Sequence, residues 1–118
     1  MPYWVTKQGR VAVTPASAAR WGEADVCVRR GLLAREAGQL ADAEVAFREA
    51  CGADPLNVQA LHGLALVQRD NGRIDEAARL LAAAHALQPE DGPITVDLGL
   101  LREAQGRIHQ ALKLYEAA

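Results

Sequence analysis

The side chains that could do chemistry in this chain are three histidines, two cysteines and a few adjacent acids. Their spacing argues against a reaction centre. His62, His85 and His109 stand at unrelated positions, so no pair forms the His-Glu-x-x-His arrangement that sets two zinc ligands and a general base on one helical face. Cys27 and Cys51 form no Cys-x-x-Cys pair and have no further Cys or His at zinc-ligand spacing. Their places near the start of one helix and the end of its antiparallel partner leave two states open, reduced thiols packed as small apolar groups or a disulfide between them. No phosphate loop, serine elbow or dinucleotide fingerprint is present. The acid pairs Asp75-Glu76 and Glu90-Asp91 fall where helix caps and first turns want negative charge. The expectation is no catalytic residue, no metal and no cofactor.

Composition narrows the partner instead. The formal charge of -2 comes from 13 basic against 15 acidic residues, which offers no basic field for nucleic acid or an anionic membrane. No apolar run reaches the length of a membrane span. The segment Tyr3 to Val13 is broken by Lys7, Gln8, Gly9 and Arg10, unlike a secretory signal. A cytoplasmic location is therefore expected. Half of the chain is apolar while only 4% is aromatic, so the core has to be built from Ala, Leu and Val, which suits close-packed helices.

The elements that must position these residues recur. Gly38, Gly72 and Gly106 are spaced by 34 residues, as are Ala43, Ala77 and Ala111, then Phe47, Leu81 and Tyr115, then Ala50, Ala84 and Ala118. A fixed period of that length marks a stacked helical repeat. In each unit a first helix ends at the glycine of the series, which can take the left-handed conformation. A second helix opens near Leu40, Ile74 or Ile108, and the acids Asp42, Asp75 and Glu76 suit the positive end of its dipole. It stops before Pro55 or Pro89, because the residue preceding proline is pushed out of helical geometry. Asn57 and Asp91 then cap the next first helix. The apolar spacing agrees, with Leu61, Leu64 and Ala65 on one stripe and Ala77, Leu80, Leu81 and Ala84 on the partner's.

Residues 1–23 stand outside this period. Two β-prone runs, Tyr3 to Thr6 and Val11 to Thr14, flank a Gly-containing turn and read as a hairpin or an extended arm. A lone hairpin is marginal in water, so three fates are open: a loose terminus, docking on the helical body, or docking on a second copy. Thr14-Pro15 is a helix start, and a short helix is expected from Pro15 towards Trp21, interrupted at Gly22.

The 34-residue pattern resembles the tetratricopeptide repeat, a helix-turn-helix unit. Its small residue in the first helix is matched by Gly31, Ala65 and Gly99, its two alanines and large apolar residue by the series above, and its closing proline by Pro55 and Pro89. The units are 24–57, 58–91 and 92–118, the last incomplete, and together they cover about four fifths of the chain. Arg30 replaces a usual leucine, and Ala34, Gln68 and Arg102 replace a usual tyrosine, which puts the packing of the first helix in question unless residues 1–23 cover it. The resemblance implies an all-α fold, a right-handed α-solenoid of about two and a half to three antiparallel helix pairs. Its first helices would line a concave groove for a peptide or a partner helix.

The groove positions implied by the resemblance are Val28 and Leu32, His62 and Leu66, Val96 and Leu100, each pair one helical turn apart. Arg29, Arg35, Arg69, Asp97 and Glu103 would form the rim, more basic at one end than the other. Two readings of this apolar ladder stand side by side. The residues pack between neighbouring first helices, or they receive an apolar segment of a partner or of the chain's own Tyr3-Trp4-Val5 arm. Repeats of this kind that clamp the acidic carboxyl terminus of heat-shock chaperones use Lys, Asn and Arg where this chain has Val28, Leu32, Gly63, Pro93 and Asp97, so that ligand is not expected. The expected function is a non-enzymatic protein-protein interaction module or scaffold. The alternatives are the repeat segment of a larger bacterial enzyme and a small secretion chaperone. The open face of the last helix, with Ala111, Leu114 and Tyr115, and the amino-terminal arm each leave a homodimer open.

Overall fold

The computed structural model describes the backbone of residues 3–6, 9–12 and 15–118, and side chains from residue 22 onward. A two-stranded antiparallel hairpin, β1 (Tyr3–Thr6) and β2 (Gly9–Ala12), pairs Tyr3 with Ala12 and Thr6 with Gly9. Six helices follow: α1 (Pro15–Glu36), α2 (Leu40–Ala53), α3 (Val58–Asp70), α4 (Ile74–Leu87), α5 (Gly92–Ala104) and α6 (Ile108–Ala117). Each helix packs mainly on its neighbour in the chain, so the all-α body is a solenoid of three stacked antiparallel pairs.

Local sequence sets the ends of these helices. The first helix of each unit closes on Gly38, Gly72 or Gly106, whose φ values of 78°, 81° and 78° lie in the left-handed region. There the next amide reaches back to a free helix carbonyl, as Gln39 N does to Ala34 O at 2.8 Å. Asn57 Oδ1 accepts from Ala60 N at 3.0 Å, and Asp91 Oδ1 accepts from Ile94 N at 3.1 Å, which caps α3 and α5.

The amino-terminal region departs from expectation. α1 runs without a break through Gly22 for 22 residues, since the chain supplies no second breaker beside that glycine, and a single helical glycine costs only about 1 kcal/mol. The proposed Thr14 cap lies outside the described residues. On the described part of the first unit, Val26 and Leu33 are 60% and 67% exposed. Arg30, at a usual leucine position, turns outward to Glu49 and Cys27. Cys27 and Cys51 are both free thiols, half-buried.

Two apolar clusters fill the two junctions between units. The first gathers Val28, Ala43, Phe47, Ala50, Ala60, Leu64 and Val67. The second gathers Leu61, Ala65, Ala77, Leu81, Ala84, Ile94, Leu98 and Leu101 among others. Phe47 is fully buried and lies between two glycines. A Cβ on Gly31 would stand 2.7 Å from its ring, and one on Gly63 would overlap it. Gln68 takes the place of the usual tyrosine and is also fully buried. Its Oε1 accepts from Arg73 at 3.0 Å, while its Nε2 has no partner among the described residues.

Candidate partner-binding groove

The face presented by α1, α3 and α5 is built from equivalent positions of the three units. Leu32 and Leu100 are each 47% exposed and Val96 39%. Leu66 on the middle helix is half-buried. Burying a leucine is worth about 1.5–3 kcal/mol relative to leaving it in water, so this row forgoes stabilisation that the neighbouring core positions obtain.

Val28 is a correction to the expected ladder of six. It is 3% exposed and belongs to the first junction's core. The absence of a side chain on Gly63 lets α3 settle onto Phe47, and α1 and α3 are in direct contact. His62, the equivalent of Val28 one unit on, meets a different neighbour. Its Nε2 lies 2.7 Å from Oδ2 of Asp97, which occupies the position of Gly63 in the third unit. Both side chains are about a quarter exposed, at 24% and 23%.

The rim residues fall into separate groups. Arg35 Nε is 3.5 Å from Asp70 Oδ2, and Arg69 is 3.3 Å from Asp70 Oδ1, so one carboxylate serves two guanidinium groups at the carboxyl ends of α1 and α3. Glu103, in the third unit, accepts weakly from the Tyr115 hydroxyl at 3.5 Å. Arg29 is exposed on α1. Asp97 belongs to the groove wall through its bond to His62.

Two features escaped the sequence reading. One is the His62–Asp97 bridge, whose signal is the adjacency of the fifth position in one unit to the sixth in the next. The other is a cavity of about 280 Å³ at the amino edge of the groove, lined by Asp25, Asn57, Gln59, His62, Gln88 and Asp91 among others. The other histidine near the groove helices has a structural task. His85 Nδ1 is 3.3 Å from the buried Thr95 hydroxyl, which in turn donates to Asp91 O at 2.9 Å. Among the described residues no helix is long and apolar enough to cross a membrane, and no group of three or more His, Cys, Asp or Glu side chains could hold a metal ion.

Solved structures share this architecture. The second tetratricopeptide domain of Spaghetti (RPAP3), bound to the HSP90 peptide SRMEEVD, matches 88% of this chain and 95% of its own at 18% identity, with a TM-score of 0.83. MamA matches 80% of this chain at 20% identity and a TM-score of 0.75. PilF of Pseudomonas aeruginosa matches 84% at 22% identity and a TM-score of 0.75. The chain spans 55% of the MamA structure and 45% of the PilF structure. No curated protein is significantly similar to it. The sequence model described as tetratricopeptide repeat matches residues 34–93, just over half of the chain. Together with the three glycine-closed helix pairs, that match places the chain in the tetratricopeptide repeat family.

Proposed function

We propose that the chain is a non-catalytic protein-interaction module whose concave face holds an apolar segment of a protein partner. The observation that carries this reading is the row Leu32, Leu66 and Leu100, one from each unit, with Val96 beside it. Leu32, Leu100 and Val96 stay 39–47% exposed in a domain that closes its own core elsewhere. Helix-in-groove and extended-strand recognition both use such a row, with apolar anchors giving affinity and border charges giving orientation. The acidic peptide seen on the RPAP3 domain is not the ligand we propose here. Of the five positions compared above, Val28 is buried and Asp97 is engaged by His62, and none carries a basic group.

The test is a Leu66→Glu, Leu100→Glu double variant. It should keep the helical circular dichroism of the parent and lose the proteins that the parent retains from native lysate. Retention of the same proteins by both would sink the groove reading. The same experiment serves the alternatives of a secretion chaperone and a repeat segment of a larger enzyme, which would use this face for cargo or for another domain.

A further inference from the structure

The stack makes one packing relation twice and leaves a third instance of it unfilled. Ala60, Leu64 and Val67 of α3 pack in one cluster with α2, and Ile94, Leu98 and Leu101 of α5 pack in the other with α4; all six are 0–4% exposed. The equivalent residues of α1, 34 positions earlier, are Val26, Arg30 and Leu33, and all three are exposed. Among the described residues no helix packs on them. Arg30 does not break this stripe with a free charge. Glu49 of α2 holds its guanidinium, which leaves the aliphatic stem as part of the wall. Two open depressions, about 590 Å³ and about 280 Å³, meet at Arg30. Along α1 they run from Gly22 to Ala34, which at 1.5 Å per residue is roughly 18 Å, room for a helix of about three turns.

Charge states which helix fits. Across the first junction Arg48 of α2 meets Glu76, in the first turn of α4, at 3.2 Å. The equivalent of Glu76 on the open face is Asp42, in the first turn of α2. It lines the smaller depression and has no ion pair among the described residues. An incoming helix therefore matches best with a basic residue directly after its large apolar one, as Arg48 follows Phe47. A second copy offers the opposite. Stacked in the same register, it would set Glu116, the equivalent of Arg48, against Asp42. It would also set Glu103 against Glu36, where the internal junction pairs Arg35 with Asp70. Two like-charge contacts in place of two ion pairs disfavour self-stacking.

We propose that the open face of the first unit docks an amphipathic helix of a partner protein. That helix carries small, large and small apolar residues at the spacing of Ala43, Phe47 and Ala50, with a basic residue after the large one. The surface is distinct from the leucine row of the groove, since Leu33 and Leu32 project about 100° apart on α1.

The probe is a labelled peptide with the α2 sequence, Leu40–Ala53 with Cys51→Ser. A hydrocarbon staple between positions 45 and 49 holds its helix; both are exposed, one turn apart, and Glu49 faces α1 rather than α3. Fluorescence anisotropy against the full chain should show saturable binding, with melting curves establishing that each variant folds. Leu33→Glu, at a position 67% exposed, should weaken binding about tenfold or more, the effect of one buried leucine. The Leu66→Glu, Leu100→Glu variant should bind as the parent does. Arg48→Glu in the peptide should weaken binding about two- to fivefold, and Asp42→Lys in the chain should restore it. Binding that survives Leu33→Glu, or that fails on the groove variant, overturns the proposal, as does the absence of saturable binding. Docking that depends on Leu33 but is not restored by the charge swap overturns the basic chemistry assigned to the partner. A parent dimer in sedimentation equilibrium that Leu33→Glu abolishes gives the face to a second copy and overturns the partner helix.

Discussion

The two junctions of this solenoid use the same repeat positions with opposite chemistry. Where the first unit meets the second, Val28 faces a unit that carries Gly63, and the missing side chain lets Phe47 fill the space between α1, α2 and α3. Where the second meets the third, His62 faces Asp97, and a 2.7 Å polar bridge joins α3 to α5. The first junction is dry and closed towards the groove, whereas the second opens a polar cavity beside it. A change of residue class at two positions therefore decides whether a rung of this face is closed apolar core or a polar opening.

The largest effect should come from the dry junction. Phe47→Ala removes a fully buried ring from contact with three helices and should cost about 3–5 kcal/mol in denaturant unfolding. Gly63→Ala places a methyl group where the ring already sits and should cost about 1–3 kcal/mol by overpacking. Combined with Phe47→Leu, the same alanine should cost clearly less than it does alone. Additive costs would mean that the glycine and the ring are not coupled, against the close fit described.

The polar junction can be converted into the dry one, which gives the second test. His62→Val together with Asp97→Gly installs the pair found one unit earlier. Each change alone strands a partner that is only a quarter exposed. A double-mutant cycle should show a coupling of about 0.5–1.5 kcal/mol, discounted for that exposure. The intrinsic cost of a helical glycine, about 1 kcal/mol, cancels around the cycle. A coupling near zero would reduce the bridge to a surface contact.

Much of this fold was legible in the sequence because its determinants are local. Glycines at the helix ends, Asn57 and Asp91 as caps and the prolines after α2 and α4 act within one turn of their own position, and the helices begin and end beside them. What was less legible depends on contacts between units. Val28 and His62 are equivalent by spacing, yet one is core and the other bridges to Asp97, because the neighbouring unit supplies Gly63 in one case and a carboxylate in the other. Gly22 misled for a related reason. A glycine ends a helix only where the chain turns, and α1 continues straight through it.

The smallest expected effect tests the open end of the stack. Leu33 stands where Val67 and Leu101 stand in the later units, but it is 67% exposed while they are 0% and 2% exposed. Among the described residues no helix packs on that face of α1 as α2 packs on α3 and α4 on α5. Leu101→Ala should therefore cost about 2–5 kcal/mol, and Leu33→Ala less than about 0.5 kcal/mol. Equal costs would mean that the face is covered in solution. Protein concentration then separates the two covers, because docking of the chain's own hairpin gives a cost independent of concentration, whereas a second copy gives one that grows with it.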